Sequence, residues 1–184
     1  SEDYIHCLDR VYKFSDYIAI NISSPNTQNL RDLSKVENLD SLLKIIKSKQ
    51  EDLAVAHGYR PIFLKISPDE SYEDLENICN SILKNKIDGV ICSNTTIDHT
   101  DSDGLGGISG RPLRRKSTNT LIQVRSLLGD KLPIIASGGV MTSDDYLEKI
   151  NAGANLVQLY TGFIFEGPKL IEDIINLNSR ARNT

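Results

Sequence analysis

Short apolar runs rich in Ile and Val alternate along this chain with longer segments whose apolar residues recur at helical spacing. That alternation is the signature of βα units whose strands pair in parallel and are covered on both faces. The first strand is predicted over Tyr17–Ser23, and the second over Pro61–Ser67. Between them Ser34 is placed to cap a helix whose buried face carries Leu39, Leu42, Leu43, Ile45 and Ile46. After the second strand S-Y-E-D opens a helix as a variant capping box, with Leu75, Ile78, Ile82 and Leu83 facing inward. A third strand, Gly89–Ser93, runs into N-T-T and then a polar, glycine-rich excursion from Asp98 to Pro112, long enough to be functional or mobile. The helix Ser117–Leu128, a strand Pro133–Ser137, a helix opened by S-D-D-Y, a strand Asn155–Tyr160 and a last helix from about Pro168 to Asn178 complete the pattern.

Five consecutive βα units fit either an open doubly wound sheet or part of a (β/α)8 TIM barrel, which needs about 250 residues. An open sheet gathers its ligand groups at one switch point, whereas a barrel gathers them at the C-terminal end of every strand. Here all five strands end in polar or glycine-rich sequence: N-I-S-S-P-N, K-I-S-P, S-N-T-T, S-G-G and Y-T-G. The α/β class with a TIM-barrel architecture is therefore expected, with residues 1–184 supplying its last five βα units within a single domain. The segment at Ser1 reads as a helix already under way, so the chain is expected to be part of a longer protein.

Composition changes this picture little. The chain is 39% apolar and 25% charged, with a formal charge of −4, as in ordinary globular proteins. Its basic residues are dispersed except for Arg114, Arg115 and Lys116, which read as a solvated helix start, so no nucleic-acid partner is expected. No apolar run approaches the ~20 residues of a membrane span, and this portion is expected to be soluble. Cys7, Cys79 and Cys92 are odd in number and lack C-x-x-C spacing, and the three histidines share no ligand spacing. Buried reduced thiols and no metal site are the expectation.

The strand ends carry the candidate chemistry. Phe63, Lys65 and Ser67 share one face of the second strand, and an ammonium pointing into a barrel needs an anion or a lowered pKa. A lysine snorkelling out between helices is the plain alternative. S-G-G-V at Ser137–Val140 and Y-T-G at Tyr160–Gly162 lie where barrels commonly bind phosphate through backbone N–H groups. Asn21, Asn26 and Asn94 could each be a turn residue, but together they suit a planar ligand that both donates and accepts hydrogen bonds. Ser24 lacks the G-x-S-x-G context of a hydrolase nucleophile and has no evident histidine partner.

I-N-I-S-S-P-N-T, V-I-C-S-N-T-T, G-G-I-S-G-R-P-L, I-I-A-S-G-G-V and L-V-Q-L-Y-T-G-F-I-F-E-G-P occur in that order. From Tyr4 to about Ile175 the sequence closely resembles the quinone-linked class of dihydroorotate dehydrogenases, the FMN enzymes of pyrimidine biosynthesis. The resemblance implies oxidation of dihydroorotate to orotate on FMN, with a quinone as electron acceptor. It gives Ser24 the role of the base, where the family's other branches carry cysteine, and makes Thr27 part of a water relay. Asn21, Asn26, Asn94 and Thr95 match residues that bind the substrate, and Asn21 also lies close to the flavin. Lys65, Ser93, Gly110, Gly139, Tyr160 and Thr161 match flavin contacts, Lys65 at the N1 and O2 edge and the last three among them at the phosphate. The resemblance further implies peripheral attachment to an inner membrane, on the bacterial cytoplasmic face or in mitochondria, through amphipathic helices preceding Ser1 that admit the quinone. Two other readings remain at this point. One is a phosphate-binding barrel aldolase with Lys65 as its Schiff-base lysine; the other is an inactive half-barrel retained as a packing module.

Overall fold

The computed structural model describes residues 2–24, 36–99, 104 and 106–181. Its five strands are β1 (Ile18–Asn21), β2 (Ile62–Ile66), β3 (Gly89–Cys92), β4 (Ile134–Ser137) and β5 (Leu156–Gln158). All pair in parallel, in the spatial order β1-β2-β3-β4-β5. Each strand therefore lies beside its successor in sequence, with no point at which the order reverses. That is the wall of a barrel and not a doubly wound sheet.

The α-helices among the described residues are α1 (Glu2–Val11), α2 (Val36–His57), α3 (Tyr72–Lys84), α4 (Arg114–Leu128), α5 (Ser143–Asn151), α6 (Thr161–Glu166) and α7 (Pro168–Ala181). The strand period of two divides the apolar residues cleanly between the two faces of the sheet. Ile18, Ile20, Ile62, Leu64, Ile66, Val90, Cys92, Ile134 and Ala136 join Leu39, Leu43, Ile46, Ile78, Ile82 and Val124 in the main core beneath the helices. Phe63, Ile91 and Ile135 form a separate small cluster on the other face, the barrel interior. Gly89 is required there, because a Cβ on it would stand 2.3 Å from the Phe63 ring.

The base of the wall is held by polar groups. Asp88 accepts hydrogen bonds from the Ile62 N–H at 2.8 Å and from Gln50 Nε2 at 3.1 Å, and the Tyr59 hydroxyl also donates to it. Helix α3 opens on Ser71, whose hydroxyl accepts from the Asp74 N–H at 3.1 Å. Helix α5 opens on a full capping box between Thr142 and Asp145, one residue ahead of the S-D-D-Y signal.

Several local expectations need correction. Ile45 is exposed, because it falls outside the stripe that Leu39, Leu42, Leu43 and Ile46 turn toward the sheet. Cys7 is exposed on α1, whereas Cys79 and Cys92 are buried, and burial pushes the Cys79 thiol up to about 12 and the Cys92 thiol up as well. Helix α4 begins at Arg114, before Ser117. Its basic triplet is not a free solvated face: Arg114 pairs with Asp145 and Glu148, and Lys116 with Asp69 at 2.6 Å. Helix α6 was not foreseen, since its six residues are too few for periodicity to show. Ser34 lies outside the described residues.

Apolar side chains stand exposed at the β5 end of the sheet, among them Leu156, Tyr160, Ile164 and Phe165. At the β1 end, Tyr4, Cys7, Leu8, Val11, Ile18 and Ile20 line an open groove. Among the described residues each end strand pairs on one edge only.

Candidate functional site

Register sets the site. Asn21 is level with Lys65, Lys65 with Ile91, Ile91 with Ile135, and Ile135 with Leu156, so these side chains form one tier around the interior wall. The tier above it contains Ser137 and Gln158, with Ser93 just past the end of β3. Polar residues thus replace apolar ones as the strands approach their C-terminal ends.

At that end an open cavity of about 380 Å³ brings together Lys65, Ser93, Asn94, Thr95, Gly110, Gly139, Tyr160 and Thr161. These are eight of the predicted site residues, drawn from the ends of four strands and the excursion before α4. Asn21 and Ser24 lie outside that cavity lining, which Asn21 adjoins through its hydrogen bond to Asn94. Asn26 and Thr27 lie outside the described residues.

Asn21 and Asn94 belong to one hydrogen-bonded cluster. Asn21 Oδ1 accepts from the Ser23 N–H at 3.1 Å, from Ser23 Oγ at 3.1 Å and from Asn94 Nδ2 at 3.2 Å. Asn94 Nδ2 also donates to Ser23 Oγ at 3.1 Å, and Asn94 Oδ1 accepts from the Thr95 N–H at 2.9 Å. Ser23 Oγ lies 2.9 Å from the Lys65 carbonyl and is buried. The cluster therefore joins the ends of β1, β2 and β3 and fixes which way each amide faces. Tyr4 adds a hydrogen bond to the Asn21 carbonyl at 2.6 Å.

Lys65 lines the cavity and is partly buried, and that burial lowers its pKa below the usual lysine range. It shares that lining with neutral groups, among them Ser93, Asn94 and Ser137. Two strands further along the wall, ~10 Å away, stands the Gly138–Gly139 turn, and one strand beyond it Thr161, both in the cavity lining. Gly139 has φ 79°, and a Cβ there would stand 2.2 Å from the Arg114 Cα, so this turn requires glycine. Thr161 Oγ1 donates to Ser109 Oγ at 2.9 Å, tying the start of α6 to the end of the excursion.

Ser23, Ser109, Ser137 and Gln158 also belong to the site, and sequence reading did not single them out. Ser109, Ser137 and Gln158 line the cavity, and Gln158 donates to the Tyr17 hydroxyl at 3.0 Å across the interior. Strand parity could have found Ser137 and Gln158, which share the inward face with Ile135 and Leu156.

The family model for dihydroorotate dehydrogenase matches residues 1–179. The chain belongs to the dihydroorotate dehydrogenase family. A curated relative named dihydroorotate dehydrogenase (quinone), from Vibrio parahaemolyticus, is 50% identical over 182 residues, covering 95% of this chain and 54% of its own length. Its counterpart from Photobacterium profundum is equally similar, at 50% over 182 residues. The crystal structure of the Eimeria tenella enzyme in complex with ferulenol superposes with a TM-score of 0.89 at 33% identity, over 98% of this chain and 55% of that one. The ligand-free Eimeria tenella structure superposes with a TM-score of 0.86 at 35% identity. The chain thus spans about half the length of the family members it matches and supplies five βα units of their barrel. Among the described residues no helix is long and apolar enough to cross a membrane.

Proposed function

We propose that the intact protein oxidises dihydroorotate to orotate with FMN as bound cofactor and a quinone as final acceptor, in pyrimidine biosynthesis. The observation that carries this reading is the convergence of Lys65, Asn94, Gly139 and Thr161 on one strand-end cavity. A charged amine on one side and a glycine turn with a hydroxyl on the other suit a ligand with an electron-rich polar ring edge and an anionic tail, which is the chemistry of FMN. The cavity's size falls in the range of small-molecule sites.

In this reading Lys65 holds the ring edge, Ser93 and Gly110 make further flavin contacts, and Gly139, Tyr160 and Thr161 hold the phosphate. Bound there, FMN would supply the hydride acceptor. The Lys65 ammonium would stabilise negative charge on a ring bound beside it, and because the lysine is partly withdrawn from water that interaction would be stronger than at a surface. Asn21 and Asn94 present amides already locked by Ser23, and with Thr95 and Asn26 they orient the pyrimidine and its carboxylate. Preset donors and acceptors of this kind lower the ordering cost of binding.

Ser24 directly follows this cluster at the end of β1 and takes the substrate's C5 proton. A serine hydroxyl is a weak base, so the proton passes onward through water, with Thr27 in the relay. The quinone and a peripheral position on an inner membrane are inferred from the quinone-linked relatives and belong to parts of the protein beyond these strands. Orotate formation followed by ultraviolet absorbance, in the intact protein supplied with dihydroorotate and a soluble quinone, tests the proposal. Turnover that requires both is expected. FMN-loaded protein that forms no orotate would overturn it.

A further inference from the structure

Lys149 on α5 has no solvent exposure, although the cavity does not include it. Its Nζ donates to Ser117 Oγ at 2.7 Å, to Thr118 Oγ1 at 2.7 Å and to the Arg114 carbonyl at 3.3 Å. An ammonium has three donors and no acceptor, so all of its protons are used. Burial lowers its pKa to about 8. A buried lysine is costly, and a plain apolar residue would pack here without that cost. What distinguishes the lysine is the effect on its neighbours.

Because Lys149 only donates, Ser117 Oγ must accept from it and send its own single proton elsewhere. Two carbonyls lie within reach: Gly138 at 2.9 Å and Arg114 at 3.0 Å. The Arg114 carbonyl already receives Thr118 Oγ1 at 2.9 Å as well as Lys149, which leaves Gly138 as the acceptor that needs Ser117. The Gly138–Gly139 peptide is trans, so its N–H points opposite to its C=O. Ser117 lies behind the turn, off the cavity, whereas Gly138 and Gly139 line it. Holding the carbonyl back toward Ser117 therefore aims the Gly139 N–H forward. From the same side Arg114 braces the turn: its backbone packs on Gly139, and its guanidinium pairs with Asp145 at 2.6 Å, whose carboxylate also holds the Met141 and Thr142 N–H groups at 3.0 Å.

We propose that Lys149 is a positioning residue that acts through Ser117 to aim the Gly139 N–H at the phosphate of the bound flavin nucleotide. The inference rests on the FMN reading above. It assigns a role in binding to a lysine that touches neither substrate nor cofactor.

The test compares affinities of the intact apoprotein for FMN and for riboflavin, which lacks the phosphate, by quenching of flavin fluorescence. Wild type is expected to prefer FMN strongly. Lys149→Met is expected to weaken FMN binding about tenfold or more and to leave riboflavin binding nearly unchanged. Ser117→Ala removes a single buried hydroxyl and is expected to act in the same direction, so it decides the question if Lys149→Met does not fold. The double variant should lose little more than either single one. Equal losses for both flavins, or an unchanged preference for FMN in Ser117→Ala, would overturn the role of the relay. A wild-type protein that does not distinguish the two flavins would instead overturn the phosphate site itself.

Discussion

Asn94 Nδ2 lies 3.2 Å from Asn21 Oδ1, and Ser23 Oγ bridges the two residues at 3.1 Å from each. Residues 73 positions apart in sequence thus form one hydrogen-bonded unit. Ser23→Ala is expected to weaken orotate binding roughly tenfold without contacting the ligand, because it removes the hydroxyl that both amides share. Isothermal titration of the FMN-loaded intact protein with orotate checks this. Wild-type affinity in Ser23→Ala would mean that the amides are held by other means.

Ser24→Ala is expected to leave FMN bound and to slow reduction of the flavin by dihydroorotate by several orders of magnitude. Rapid mixing under anaerobic conditions reads the rate directly. An unchanged rate removes Ser24 as the base, and loss of FMN would point to a structural role instead.

Lys65→Met keeps most of the side-chain volume while removing the charge. The variant is expected to bind FMN more weakly and to have a lower flavin reduction potential, since the positive charge favours the reduced ring. Spectroelectrochemistry checks the potential. A wild-type potential would contradict the placement of Lys65 beside the ring, and trapping of substrate on Lys65 by borohydride would favour a Schiff-base role.

Lys149 also carries a prediction about pH. Burial is the main cause of its lowered pKa, and the charges that face it are Glu148 and Asp145 on α5 and Arg114 at the start of α4, with the Cys92 thiol on β3 also nearby. Between about 8 and the ordinary lysine value of 10.5 the unfolded chain binds more protons than the folded one at this residue. Stability must therefore rise with pH across that window. Urea unfolding of wild type and Lys149→Met at a series of pH values should diverge in slope there. Lys65 contributes in the same direction to both proteins and cancels in the comparison. Parallel curves would contradict the assignment.

At the opposite end of the wall, Asp88→Ala leaves the Ile62 N–H, Gln50 and Tyr59 without their common acceptor. A loss of about 1–3 kcal/mol of stability is expected, with the FMN affinity little changed. A large drop in FMN affinity in a folded variant would show that the base of the wall is coupled to its mouth.

Much of this was legible in the chain because strand ends are local. Lys65 sits near the end of an apolar run, and Asn94, Gly139 and Thr161 lie just past others; once the runs are ordered side by side their convergence is geometric. Ser23 was overlooked beside Ser24, because its importance lies in partners on β2 and β3 that no local pattern reveals. The same holds for Lys149, which reads as an ordinary polar residue on α5 until Ser117 and Thr118 are seen against it. The basic triplet at the start of α4 misled for a related reason: its acceptors, Asp145, Glu148 and Asp69, come from other βα units. Helix α6 was missed because its six residues make fewer than two turns and leave no period to count.

The most direct measurement is the visible absorption spectrum of the purified intact protein before and after anaerobic addition of dihydroorotate. The account predicts flavin bands that bleach on addition and return when quinone is supplied. A protein that holds no flavin, or whose flavin bands are unaffected by dihydroorotate, would contradict it.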